Sequence, residues 1–316
     1  MRTETTKAIY RAALQNKNII FLTGDLDHEA ATEFKENIPD QHINIGLAEQ
    51  NMVGIAAGLA LSGKKVFVFS ITPFVTMRCF EQIRVDVCYQ NLDVTIIGVG
   101  GGFAYSTSGC THHAIEDIAM MRALPNMKIF SPCHPLEARL ITEKLIHLPG
   151  PNYLRIGRKN DPLIPELAQE KSEDIKLGQA MVVRPGNTIS IFCTGSIMTE
   201  ALAAAKELDY LGWSAEVINM HTLKPFDTKI ITKRLENRLA IFSLEEHSIM
   251  GGLGSIISEA ISEVTIKPMI MPLFKRFGVE DRFTHIIGPA KNLRKDNRID
   301  SDSLVKRIKQ LDNSLR

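Results

Sequence analysis

The sequence predicts an α/β protein built of two doubly wound α/β domains with mainly parallel sheets. Three observations carry that prediction. Short apolar runs alternate with segments of helical periodicity along most of the chain. One run, "KKVFVFSI" (64–71), is apolar with no polar alternation, as a strand covered on both faces must be. The rhythm breaks once, at "NDPLIPELAQEKSEDIKLGQAMVVRP" (160–185), a charged and proline-bearing stretch, and then restarts. The expected organisation is a first domain over 1–165, a linker over 166–184 and a second domain over 185–316.

Taken in order, "TETTKAIYRAALQNKN" has apolar residues at helical spacing with threonines at its start. "IIFLTGD" reads as a buried strand, and "INIGLAEQNMVGIAAGLALSG" (43–63) as another strand, a turn and a helix of small and aliphatic residues with Glu49 near its start. After "KKVFVFSI" come an amphipathic segment, "TPFVTMRCFEQIRVDVCYQN", and the strand "DVTIIGVGGG". The polar loop "AYSTSGCTHHAIED", the helix "EDIAMMRAL" and the strands "MKIFSP" and "NYLRIG" close the first domain. The second runs through "TISIFCTGS", the helix "IMTEALAAAKELDYLG", "SAEVINM", "RLAIFSLEE" and the helix "LGSIISEAISEV". Neither a fixed-period repeat nor a low-complexity tract is present.

The chain has 316 residues, 44% hydrophobic and 23% charged, which is ordinary for a globular protein with a real core. A net charge of +1 gives no field toward nucleic acid or an anionic membrane, so neither is an expected partner. No run of eighteen apolar residues occurs, and "MRTETTKAIYRAAL" lacks the apolar centre of a secretory signal. The five cysteines form no CxxC pair or framework spacing, which suggests reduced thiols and a cytoplasmic home.

Ligands of open α/β sheets bind beyond the carboxyl ends of the strands. That rule gathers Asp25, Glu49, the glycines at 100–102 and the loop holding His112 and His113. Glu49 stands out because burying a carboxylate is expensive and is met by protonation or by a specific partner. The alanines and glycines that follow it imply close packing against another element. His112 and His113 lack a third and fourth ligand nearby, so a metal is not expected on them, and one histidine acting on a polar substrate fits better. "GVGGG" lacks the GxGxxG pattern and its immediate helix; "MGGLGS" (250–255) is the better phosphate-cradle candidate, although plain turn chemistry explains it as well. Phe74 and Phe80 read as core or as a flat pocket for a planar ring, and Arg2, Arg155 and Arg158 as surface charges or a phosphate site.

"INIGLAEQNMVGIAAGLALSGKKVFVFS", "GCTHHAIEDIAMMRALPNMKIFSPCHPLEA", "MHTLKPFD" and "LEEHSIMGGLGS" together resemble the C-terminal half of transketolases, and also 1-deoxyxylulose-5-phosphate synthase. The resemblance implies the pyrimidine-binding domain of a thiamine diphosphate enzyme followed by the family's C-terminal domain. It implies that Glu49 contacts N1′ of the aminopyrimidine and that His112 hydrogen-bonds substrate hydroxyls. It further implies that Phe74 and Phe80 sandwich the pyrimidine, that Asp25 and Leu26 lie beside the cofactor at a subunit junction, and that Arg158 and Arg2 bind a sugar phosphate. Ser108-Gly109 stands where the family has Asp-Gly, and a substrate histidine upstream of the TH motif is missing, with Gly100 near its place. The GDG-to-Asn motif for diphosphate and Mg²⁺ is absent. The implied protein is therefore one subunit of a split transketolase, working on sugars or sugar phosphates with an N-terminal pyrophosphate-binding subunit in an α2β2 heterotetramer. The β-subunit of a 2-oxoacid dehydrogenase E1 component and a non-catalytic subunit are the alternatives.

Overall fold

The computed structural model describes residues 1–25, 28–158, 161, 163–167, 175–265, 268 and 270–311. Among the described residues, twelve strands form two sheets. The first contains β1 (Ile19–Thr23), β2 (His42–Asn44), β3 (Lys65–Ile71), β4 (Val94–Val99), β5 (Lys128–Phe130), β6 (Asn152–Ile156) and β10 (Thr222–Lys224), in the order β10-β5-β6-β4-β3-β1-β2. The second contains β7 (Met181–Arg184), β8 (Ile189–Cys193), β9 (Ala215–Asn219), β11 (Ala240–Ser248) and β12 (Leu273–Val279), in the order β12-β11-β8-β9-β7. All pairings are parallel except β10 with β5 and β7 with β9.

The unbroken apolar strands are explained by burial on both faces. Phe67 and Phe69 join a cluster with Ile9, Phe21, Phe34 and Leu140, beneath the helices Arg2–Gln15 and Pro135–His147. Val66 and Val68, on the opposite face, join Ile20, Met52, Val53 and Ile96 beneath the helix Glu49–Leu61. That second cluster continues into the other unit through Phe192, Ile218, Met220, Leu223, Ile241 and Leu253, so the two units share one apolar core. A separate cluster fills the far face of the second sheet.

Two features depart from the sequence reading. The last residues of the expected linker, Met181–Arg184, are strand β7; its residues 168–174 lie outside those described. A short strand from the second half of the chain, β10, extends the first sheet. Close packing along the Glu49 helix is also only half realised. Ala56 and Ala57 are buried, but Gly54 and Gly58 face outward with open space where a Cβ would stand.

Candidate functional site

Most of the candidates in the first unit sit where a strand ends. Gly24-Asp25 follows β1, Glu49 follows β2, Phe74 follows β3, the loop from Gly100 to His113 follows β4, and Arg158 follows β6. These are carboxyl ends of parallel strands, the expected side for a ligand.

Glu49 opens its helix after Ala48, with no side-chain cap, and is 1% exposed. Its Oε2 accepts a 2.6 Å hydrogen bond from Nη1 of Arg78, while its buried Oε1 has no partner among the described residues. The Arg78 guanidinium also lies over the Phe74 ring, 4.6 Å from its centroid. Phe74 meets the His112 ring edge-on at 5.1 Å, and His112 lies 5.9 Å from the Tyr105 ring. Arg158 in turn lies over Tyr105 at 4.5 Å. Glu49, Arg78, Phe74, His112, Tyr105 and Arg158 thus form one continuous run of contacts, charged at both ends and aromatic between.

Smaller contacts hold the run in place. Thr111 Oγ1 bonds His112 Nδ1 at 2.9 Å. The backbone N–H of Asp25, in a left-handed conformation (φ 56°), donates to Asn44 Oδ1, which also accepts from Gly46 N. Gly24 packs so close that an added Cβ would stand 3.3 Å from Gly46 O and 3.9 Å from Glu49 Cγ, which sets the Asp25 turn beside the carboxylate. His113 is different from its neighbour. It is buried against Phe103 at 5.2 Å, and burial holds its ring below the usual histidine pKa.

Other expected residues are not links in this run of contacts. Phe80 packs half-buried on the apolar core, so of the expected aromatic pair Phe74 stands in the run. Arg2 begins the first helix, whose Met1 amino group pairs with Asp161 at 2.8 Å. Leu26 lies outside the described residues. Arg155 is buried under the loop after β4, donating from Nε to Asp117 at 2.8 Å, and is no phosphate ligand. The glycines after β4 serve packing: a Cβ on Gly101 would stand 2.6 Å from the Arg155 guanidinium, and one on Gly102 (φ 64°) would run into Glu246. The cradle expected at "MGGLGS" is already filled. Both oxygens of buried Glu245 accept there, from Leu253 N at 2.7 Å and Gly254 N at 2.8 Å.

Sequence reasoning missed Arg78, Tyr105 and Asn44. An available signal was the spacing of Phe74 and Arg78, four residues apart in a segment read as amphipathic, where a cation and a ring can meet.

The residues present fit an aminopyrimidine: a buried carboxylate with one idle oxygen, an aromatic ring joined to it through Arg78, and backbone close at Gly24. A metal is another matter. Among the described residues, no group of three His, Cys, Asp or Glu could hold a metal ion, and no helix is long and apolar enough to cross a membrane. The five cysteines, all among the described residues, form no disulfide.

Residues 1–162 match the family described as "Transketolase, pyrimidine binding domain", and 178–303 match "Transketolase, C-terminal domain". The chain is 38% identical to an apulose-4-phosphate transketolase subunit of Actinobacillus succinogenes, over 86% of this chain and 85% of that one. It is 34% identical to a 6-deoxy-6-sulfo-D-fructose transketolase subunit of Clostridium sp., over 87% and 83%. A solved split-gene transketolase, described as an inactive β4 tetramer, superimposes with a TM-score of 0.85 at 32% identity, covering 98% of this chain and 97% of that one.

Proposed function

Because this chain belongs to the transketolase family, we propose that it is the C-terminal subunit of a thiamine diphosphate-dependent split transketolase. With a separate N-terminal pyrophosphate-binding subunit it transfers a two-carbon ketol unit from a ketose or ketose phosphate to an aldose. The observation that carries this reading is the idle, buried Oε1 of Glu49, on a carboxylate that Arg78 links to the Phe74 ring. When bound, the cofactor supplies the nucleophilic carbon; the chain's own residues bind, orient and manage protons. Glu49 Oε1 shares a proton with the aminopyrimidine in a site whose burial strengthens that contact. Phe74 gives the ring a face, and Asp25 borders it at the subunit junction. His112 holds a substrate hydroxyl, and Arg158 with Arg2 receives a phosphate where the sugar carries one.

In this reading the partner subunit holds the diphosphate and Mg²⁺, because the GDG-to-Asn motif is missing from this chain. Assembly into an α2β2 heterotetramer is supported by the outward Gly54 and Gly58 on the Glu49 helix, with Leu47 and Leu61 exposed at its two ends. Such a face lets another backbone approach closely. The domains are 1–165 and 185–316, joined at 166–184, and the setting is cytoplasmic carbohydrate metabolism. The relatives named for apulose-4-phosphate and sulfofructose make an uncommon sugar a natural first donor to assay.

Titration calorimetry with thiamine diphosphate and Mg²⁺, on the chain alone and with its partner subunit, tests the reading. Binding is expected only in the complex and is expected to be lost with Glu49→Ala. Tight binding by the chain alone, or an unchanged rate of ketol transfer in a Glu49→Ala complex, would overturn it.

A further inference from the structure

Arg78 occupies the two features that an aminopyrimidine needs. Its guanidinium is planar and cationic, donates to Glu49 Oε2 at 2.6 Å and stacks 4.6 Å from the Phe74 centroid. A flat, ring-sized group that hydrogen-bonds this carboxylate and lies on this ring describes the aminopyrimidine as well. We propose that Arg78 is a built-in placeholder for the cofactor's pyrimidine, one that neutralises Glu49 in the free protein and swings aside when the cofactor enters. The inference rests on the cofactor reading above and adds a residue which that reading does not assign.

Five observations support it. A carboxylate 1% exposed needs a counter-charge while no ligand is present, because an unpaired buried charge is strongly destabilising. Arg78 can supply that charge and also leave, since its side chain is 48% exposed against 1% for Glu49. Its hydrogen bond goes to Glu49 and its stacking to Phe74, so both contacts belong to the site itself. The backbone there is tractable too, because Arg78 lies between the short helix Thr72–Thr76 and the next helical stretch from Phe80. Cys79, next in sequence, is buried, and its thiol is pushed up to about 12 by burial and then by the Glu49 carboxylate. Cys79 is also tied down, its Sγ donating to Phe74 O, which leaves the half-exposed Arg78 as the residue that can move.

A placeholder lowers apparent affinity by the fraction of time it keeps the site closed. The test measures binding of thiamine diphosphate with Mg²⁺ to the assembled complex carrying Arg78→Gln or Arg78→Lys. Melting of the ligand-free complex is followed in parallel. For Arg78→Gln, cofactor affinity is expected to tighten roughly three- to tenfold. The ligand-free protein should melt lower, and a second change, Glu49→Gln, should recover part of that loss. Arg78→Lys keeps the charge without the planar fork. It should melt close to the parent yet bind the cofactor more tightly. Weaker cofactor binding in both variants, with the parent complex binding normally, would mean that Arg78 stays and holds the ligand, and would overturn the placeholder. Failure of the parent complex to bind cofactor at all would instead remove the functional reading on which it rests.

Discussion

Glu49 and Glu245 make an instructive pair. Both are buried glutamates that meet the start of a helix, one in each unit: Glu49 opens its own helix, and Glu245, inside β11, reaches the start of the helix Leu253–Glu263. Glu245 directs both oxygens onto the backbone N–H groups of Leu253 and Gly254 and closes the helix end completely. Its neighbour Glu246 is as fully engaged: Arg294 donates to Oε1 at 2.6 Å, and Phe103 N and Ser196 Oγ donate to Oε2. Glu49 keeps one oxygen idle, and its cation is half in solvent. Equal burial therefore means opposite things. A carboxylate with both oxygens bonded to the protein holds the fold, whereas one left with an open, buried oxygen is available to a ligand.

The largest effect should come from removing the open carboxylate. Glu49→Gln keeps the shape and loses the acid–base group, so ketol transfer by the assembled complex should fall by about 10²–10⁴-fold. The fold should survive, because a neutral amide needs no counter-charge. Steady-state rates alongside circular dichroism would check both halves. A rate within a few-fold of the parent would erase the distinction between the two glutamates.

Breaking the filled network should cost stability instead. Glu246→Ala strands the Arg294 guanidinium, still paired to Glu200 at 3.1 Å, and leaves the Phe103 N–H without its acceptor. Losing one member of a buried pair costs about 3–5 kcal/mol. Urea unfolding with an unchanged slope should report a loss of that size. Since Glu246 also abuts Gly102 in the loop that leads to His112, the second unit has a role in holding the first unit's site.

The next effect is read against pH. Burial raises Glu245 to about 7 and lowers His247, 3.7 Å away, to about 4. Between roughly pH 4.5 and 7 the folded Glu245 keeps a proton that the unfolded chain has released, so this group makes stability fall as pH rises. His247 works the other way. Between about pH 4 and 6.5 the unfolded chain takes up a proton that the folded ring refuses, so stability rises with pH. Glu245→Gln removes the first trend and keeps the second. The stability gap between parent and variant should therefore narrow by up to about 3 kcal/mol as pH rises from 4.5 to 7. Denaturation midpoints at several pH values would show it, and a constant gap would mean that Glu245 is ionised throughout.

How far the sequence reached follows from the same contrast. Glu49 and His112 were legible because each sits just past an apolar strand, and strand ends can be located from local pattern, whereas Phe74 and Arg158 drew their roles from the family resemblance. Arg78 was not, because its partner Glu49 is twenty-nine residues away and the segment between reads only as strand and amphipathic helix. β10 was out of reach for a related reason: its pairing with β5 joins distant parts of the chain, and nothing local encodes it. Glu245 and Glu246 did leave a trace. Two adjacent acids in the run "RLAIFSLEE" cannot both face solvent in a strand, and each needs a buried partner. The glycines of "MGGLGS" look like a cradle in the sequence because the carboxylate that fills it comes from the preceding strand.

The smallest effect lies at the far end of the run. Tyr105 is wedged against Gly100, where an added Cβ would run into its ring, so it presents a fixed face on which the Arg158 guanidinium rests. A cation on an aromatic face at an exposed site is worth about 0.5–1 kcal/mol. Tyr105→Leu keeps apolar bulk and loses that interaction, so the KM for a phosphorylated donor should rise about two- to fivefold. Cofactor affinity should not move, since Tyr105 stands beyond His112 from Glu49. An unphosphorylated ketose gives the control. If Tyr105 acts by orienting Arg158 toward a phosphate, that donor should lose nothing; an equal loss for both donors would place the effect at His112, whose ring lies 5.9 Å from Tyr105 and serves any sugar.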